Sequence, residues 1–252
     1  MSSFAETYDR YRPRPPAALL ELLARLAGVE RPRLVVDLGS GTGLSARAWV
    51  DRADRVVGIE PDDAMRAVAE ARGAEVEYVA ATSSATGLPD ASADLVTCSQ
   101  SLHWMEPEPT FAEVARILRR GGVFAAYDYD AVPVIHPDVD AAYEAVLDAA
   151  KSMREQTGRI SPWTTRGPFW KGEHAQRMRT SGRFGYVREL VLHSVEEGDA
   201  DRLIGGARSM GAIEMHKDED IGLDELERTA RRVLSDRVVP FWFGYRVRLG
   251  FR

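Results

Sequence analysis

The sequence has one cysteine, Cys98, which excludes an internal disulfide and a cysteine-cluster metal site. No stretch approaches the roughly 18 consecutive apolar residues of a membrane-spanning helix. Met1 to Arg14 is polar and lacks the apolar segment of a secretory signal. Lysine is scarce: Lys151, Lys171 and Lys217 are the only lysines among 33 basic residues. The arginines are scattered among 39 acids and the net charge is −6, so no basic face for nucleic acid is expected. The arginine excess, alongside many alanines, reads as GC-rich codon usage. His136, His174, His193 and His216 have no ligand-like spacing, so no metal site is expected. These absences predict a soluble cytoplasmic protein that binds neither membrane nor nucleic acid.

What remains is ordinary globular material: 252 residues, 44% apolar and 29% charged. That length suits one core with an elaboration. Pro13, Pro15 and Pro16 lead into a helix over residues 17–27, where Leu19, Leu22, Leu23 and Leu26 recur at helical spacing before Gly28. Leu34-Val35-Val36 is a short apolar run of the buried parallel type, ending at Asp37. A glycine turn follows, then a helix over 44–50. The rhythm repeats with strands at 55–59, 76–79, 94–98 and 123–127, and helices at 64–72 and around Phe111 to Leu118. Alternating strands and helices predict an α/β fold with a parallel sheet. Later, helices are expected at 139–154, 200–210 and 223–234, strands at 184–192 and 238–251, and irregular loops over 157–182. The two late strands are expected to complete the same sheet, giving one domain over 1–252.

The sharpest motif is Asp37-Leu38-Gly39-Ser40-Gly41-Thr42-Gly43. A strand delivers the chain to glycines, which let a ligand lie against backbone and a helix start. Ligands bind at the carboxyl ends of strands in such sheets. Glu60 ends the next strand, 23 residues after Asp37, where a carboxylate can accept hydrogen bonds from ribose hydroxyls. A Walker loop is excluded, because no Gly-Lys-Ser/Thr follows. Two ligands remain: a dinucleotide, since Gly41-Thr42-Gly43-Leu44-Ser45-Ala46 fits Gly-x-Gly-x-x-Ala, and S-adenosylmethionine.

Asp37-x-Gly39-x-Gly41-x-Gly43 with Glu60 resembles the first two signature regions of class I S-adenosylmethionine-dependent methyltransferases. Thr82-Ser83-Ser84 with Leu88 to Val96 resembles the third region. Ser99-Gln100-Ser101-Leu102-His103-Trp104 and Leu118-Arg119-Arg120-Gly121-Gly122 resemble later ones. Phe4 to Pro13, with Gln100 to Trp104, is similar to the methyltransferase type 11, or trans-aconitate methyltransferase-like, branch. The resemblance is strong over about residues 4–128.

It implies a Rossmann-like, doubly wound, seven-stranded, mostly parallel sheet with a helical and loop cover over the acceptor site. Residues 1–30 would be a lid and helix, 34–128 the cofactor core, 130–183 the acceptor cover, and 184–252 the last strands and helices. The implied reaction is in-line methyl transfer from S-adenosylmethionine to an oxygen, carboxylate included, or a nitrogen of a small molecule. The glycine loop would hold the methionine portion, Glu60 and Pro61 would lie by the ribose, and Met65 would flank the adenine. Thr82 and Ser83 would sit at the adenine edge, where many relatives carry an acid. Ser99 and Gln100 would complete the cofactor site. Tyr8 and Tyr11 would fold over it, ordinary packing being the alternative. His103 is the candidate general base, or with Trp104 a pocket wall. Trp163, Phe169 and Trp170 would line the acceptor pocket or anchor loops. Arg208 would pair with a substrate carboxylate, or be a solvated charge. An NAD-dependent oxidoreductase and a non-catalytic S-adenosylmethionine-binding protein are the competing readings.

Overall fold

The computed structural model describes residues 4–73, 75–158 and 171–252. Its contacts divide the chain into two compact units.

One unit comprises residues 14–129, 168–192 and 245–252. It opens with α2 (Ala17–Leu26), after α1 (Phe4–Tyr11) of the other unit. Pro16 starts α2, and Gly28, at φ 69°, lets the chain leave it. The strands β1 (Val35–Leu38), β2 (Val56–Ile59), β3 (Glu77–Val79), β4 (Ala93–Ser99) and β5 (Leu118–Tyr129) pair in parallel. The apolar runs of β1 and β2 are buried throughout, as both faces of a parallel sheet require. Between them lie α3 (Leu44–Arg47), α4 (Asp63–Ala71) and α5 (Pro107–Ile117). Asp62 caps α4 by accepting the Met65 N–H at 2.8 Å. β6 (Tyr186–Gly198) and β7 (Val239–Phe251) complete the sheet in the order β3-β2-β1-β4-β5-β7-β6. β7 runs antiparallel to β5. The seven-stranded, mostly parallel α/β sheet is therefore as expected, and the two late strands do join it.

Three local expectations change. The helix after the glycine turn is one turn long, and a 3-10 turn over Val50–Arg52 follows it. Residues 171–182 are not all irregular. A 3-10 turn at Lys171–Glu173 leads into α7 (His174–Thr180), which buries His174, Ala175 and Met178. Seven residues with two apolar contacts leave too little periodicity to read. β5 begins at Leu118, ahead of the expected Val123. It passes through Gly121 and Gly122, where a Cβ on Gly122 would meet the Arg119 carbonyl at 2.9 Å.

The other unit comprises residues 1–13, 130–167 and 193–244. Its described elements include α1, α6 (Pro137–Thr157), α8 (Ala200–Arg208), α9 (Gly211–Glu214) and α10 (Leu223–Leu234). α6 packs against α9 and α10, and α1 against α8. Tyr11 lies on Gly205 so closely that a Cβ there would stand 2.4 Å from the ring. Among the described residues no helix is long and apolar enough to cross a membrane.

Candidate cofactor and acceptor site

The site is built at the carboxyl ends of β1, β2 and β4. The N–H groups of Gly39 and Ser40 both donate to the Ile59 carbonyl, at 2.8 and 3.1 Å, so the loop starts pinned to β2. Gly43 then donates to the Ser40 carbonyl at 2.8 Å, closing the turn before α3. Gly39, Gly41 and Gly43 have φ of 63°, 56° and 82°, a region costly for residues with a Cβ. Their surroundings differ. A Cβ on Gly39 would stand 2.7 Å from Met105 and 2.8 Å from Ser101, and one on Gly43 would collide with the Tyr78 hydroxyl. A Cβ on Gly41 would meet nothing within 4 Å. Gly41 is therefore the open face of the loop, where backbone is accessible to a ligand.

Two buried carboxylates end the strands that carry the turn. Asp37 is 1% exposed and its Oδ1 accepts the Thr97 hydroxyl at 2.7 Å. Its Oδ2 meets no donor at full hydrogen-bond distance. Burial pushes the Asp37 carboxyl from the usual 3.8 to about 7, against the opposing pull of the Thr97 and Ser45 hydroxyls. Glu60 is 8% exposed. One of its oxygens accepts the Gly41 N–H at 2.8 Å and the other the Asp62 N–H at 2.9 Å. Burial raises its pKa as well, while those two N–H groups and Arg66 oppose the rise.

The predicted residues fall out unevenly. Asp37, Gly39 to Gly43 and Glu60 come together, with Pro61 exposed beside Glu60 and Met65 half-buried in the first turn of α4. Thr82 is exposed and shares its hydroxyl with Ser84 at 3.2 Å. The Ser83 hydroxyl shares a hydrogen bond with Thr110 of α5 at 2.8 Å. Ser99 ends β4 and Gln100 follows it. His103 and Trp104 occupy a 3-10 turn immediately after, with rings 4.6 Å apart. Asp128, within electrostatic reach of His103, is held below the usual carboxylate range against its burial, first by the Lys171 ammonium and then by Arg248. Tyr8 and Tyr11 belong to the other unit, where the Arg12 guanidinium covers the Tyr8 ring at 4.9 Å. Arg208 is also in that unit, exposed, and pairs loosely with Glu227 at 3.5 Å. Trp163, Phe169 and Trp170 lie outside the described residues. Among the described residues no group of three or more His, Cys, Asp and Glu could hold a metal ion.

Several supporting residues carry no local sequence signal. Ser101 donates to the Leu38 carbonyl at 2.7 Å, holding the turn after β4 against the glycine loop. Ser45 and Tyr127 share a hydrogen bond of 2.5 Å, fastening α3 to β5. Tyr78 crosses β2 where Gly58 leaves room for its ring. Asp128, Lys171 and Arg248 form an ion cluster at the end of β5. Only the rarity of lysine could have drawn notice to Lys171.

Residues 36–126 match the family model described as "Methyltransferase domain". An uncharacterized methyltransferase of Mycobacterium tuberculosis is 38% identical over 116 residues, 46% of this chain and 46% of that protein. A trans-aconitate 2-methyltransferase of Acidovorax sp. is 34% identical over 121 residues, 47% of this chain and 46% of that protein. The matched segments thus span just under half the length of these curated relatives. A solved structure from Anaeromyxobacter dehalogenans, described as a candidate type II methyltransferase, is 26% identical with a TM-score of 0.69. That likeness covers 96% of this chain and 98% of the other. Strand order, glycine turn, acidic strand ends and these likenesses agree: residues 36–126 are similar to a methyltransferase domain, set in a seven-stranded sheet whose chain is like that of the Anaeromyxobacter structure throughout.

Proposed function

We propose that the protein transfers a methyl group from S-adenosylmethionine to an oxygen, carboxylate included, or a nitrogen of a small molecule in the cytoplasm. The observation that carries this reading is the pair of buried carboxylates at the glycine turn: Glu60, which holds the Gly41 N–H, and Asp37, within electrostatic reach of Glu60. Two carboxylates raised by burial favour a cation beside them and disfavour an anion. S-adenosylmethionine brings a positive sulfonium and an ammonium group. A dinucleotide would bring a pyrophosphate to the same turn, so the NAD reading fits the electrostatics poorly.

When bound, S-adenosylmethionine supplies a methyl group already activated on a positively charged sulfur. The chain then contributes position and electrostatics. The backbone from Gly39 to Gly43 would receive the methionine portion, and Glu60 the ribose hydroxyls. Met65 would lie against the adenine, with Thr82 and nearby backbone at its edge. Ser83, hydrogen-bonded to Thr110, would lie beside Thr82 at that edge. For an acceptor hydroxyl, His103 would take the proton, with Asp128 offsetting the positive imidazolium that results. A carboxylate acceptor needs no base.

Titration calorimetry with S-adenosylmethionine and with NAD tests the donor. Binding of the first and not of the second is expected, and the reverse would overturn the proposal. Methyl transfer from labelled donor into small molecules of a cell extract tests the enzyme. Donor binding with no transfer to any acceptor would favour the non-catalytic reading.

A further inference from the structure

Gln100, the residue after β4, has φ 53°, a left-handed conformation that a side chain with a Cβ rarely adopts. Such a residue persists only where its surroundings hold it, and here they do so from three sides. Its backbone N–H donates to the Tyr127 carbonyl at 2.9 Å. Its side-chain Nε2 donates to the Tyr129 carbonyl at 3.0 Å. Its Oε1 accepts from the Lys171 ammonium. The first two bonds come from β5, adjacent in the sheet. The third comes from a residue far along the chain, which is itself held twice. Asp128 pairs with the Lys171 Nζ at 2.9 Å, and Arg248 donates to the Lys171 carbonyl at 3.1 Å while also pairing with Asp128.

The charges in this cluster nearly balance. Arg248 is 2% exposed and also stands 3.5 Å from Glu189. His174 is buried beside them, and burial lowers its pKa to about 4, so it is neutral. Lys171, Arg248, Asp128 and Glu189 therefore sum to no net charge. That argues against a docking site for an anionic acceptor and for an internal fastening. What it fastens is the turn Ser99–Ser101. The next residue along, Ser101, touches the glycine loop through the Leu38 carbonyl and the space beside Gly39.

We infer that Lys171 is a positioning residue: bridging Asp128 and the Gln100 side chain, it holds the turn after β4 in its left-handed form and so keeps the floor of the donor site assembled. This rests on the methyltransferase reading for its functional consequence and on the geometry alone for its structural one.

The test is a double-mutant cycle with Lys171→Met and Gln100→Gly, since glycine adopts this φ without strain. Two readouts are taken: affinity for S-adenosylhomocysteine by calorimetry, and thermal unfolding without ligand. In the wild-type background, Lys171→Met is expected to weaken binding about 5- to 30-fold, the population shift that follows from releasing one left-handed residue. In the Gln100→Gly background the same change is expected to weaken it less than about twofold, and Lys171→Arg is expected to restore part of the wild-type affinity. Equal losses in both backgrounds would overturn the inference. So would additive shifts in the unfolding cycle. A wild-type protein that binds no S-adenosylhomocysteine would sink the donor reading, and the unfolding cycle would still decide whether Lys171 fastens Gln100.

Discussion

Asp37→Asn isolates what the buried acid at the end of β1 costs the fold. Asparagine has the same shape, its oxygen can still accept the Thr97 hydroxyl, and its amide can donate to Ser45. What it removes is the need to ionise inside the sheet. The Asp37 pKa rises from 3.8 in the unfolded chain to about 7 in the fold, mainly through burial. The folded state therefore binds the proton more tightly than the unfolded state does. Stability from this group is full below about pH 4 and is lost as pH rises to about 7. At about 1.36 kcal/mol per tenfold change in proton affinity, the loss has a ceiling of roughly 4 kcal/mol. Local relaxation and water entry return part of it, so a gain of roughly 1–3 kcal/mol is expected for Asp37→Asn above pH 7. For a chain of this size that raises the melting temperature by about 2–10 °C. At pH 5, where more than a third of that loss is already present, the gap should narrow to about 1–4 °C. The assay is thermal unfolding of both proteins from pH 5 to 8.5. Parallel curves, or a variant less stable at pH 8, would refute the claim that desolvation governs Asp37. The same variant is expected to bind S-adenosylmethionine more weakly, because the cationic methionine portion loses the Asp37 carboxylate.

The glycines of the turn should separate by what surrounds them. Gly41→Ala, which meets no neighbour, should cost about 1–2 kcal/mol of stability in denaturant titrations, the left-handed cost alone. Gly39→Ala should cost distinctly more, since its Cβ would press on Met105 and Ser101, and equal costs would count against the packing described. Glu60→Ala should lower donor affinity at least tenfold by calorimetry, because the ribose acceptor and the anchor of the Gly41 N–H go together; unchanged affinity would remove the ribose assignment. Asp94 is 1% exposed, and burial raises its pKa while Arg119 and the N–H groups of Leu34 and Arg33 lower it further than burial raises it. Asp94→Ala leaves these partners unpaired and should destabilise the protein by about 3–5 kcal/mol in urea unfolding, with donor contacts untouched; a loss under about 1 kcal/mol would show the cluster to be solvated.

Much of the cofactor half could be read before any coordinates. Val35 to Asp37 and Val56 to Glu60 are continuous apolar runs closed by an acid, and three alternate glycines can serve only a chain that turns with positive φ. Such features are local, so a few neighbouring residues announce them. The short α7 escaped because its buried side includes His174, a polar residue by type that packing makes part of the core. Ser83 was readable as an adenine-edge hydroxyl but not as a partner of Thr110, 27 residues away. The early start of β5 escaped for another reason. Gly121 and Gly122 signal a stop in isolation, yet here they let the strand bend past Asp94 and continue.

The α/β order, the glycine turn and the acids that end β1 and β2 are written locally along the chain, because hydrophobic period and glycine freedom act over a few residues. How tightly those acids hold a proton, and what holds the turn after β4, depend on the folded whole. Burial sets the proton affinity of Asp37 and Glu60, and burial belongs to the whole sheet. The fastening of Gln100 joins residues 71 and 120 positions apart, from Lys171 to Gln100 and from Arg248 to Asp128. No short-range pattern encodes a pairing made by seven strands in register, so the charge balance around the site emerges only when β5 and β7 lie side by side.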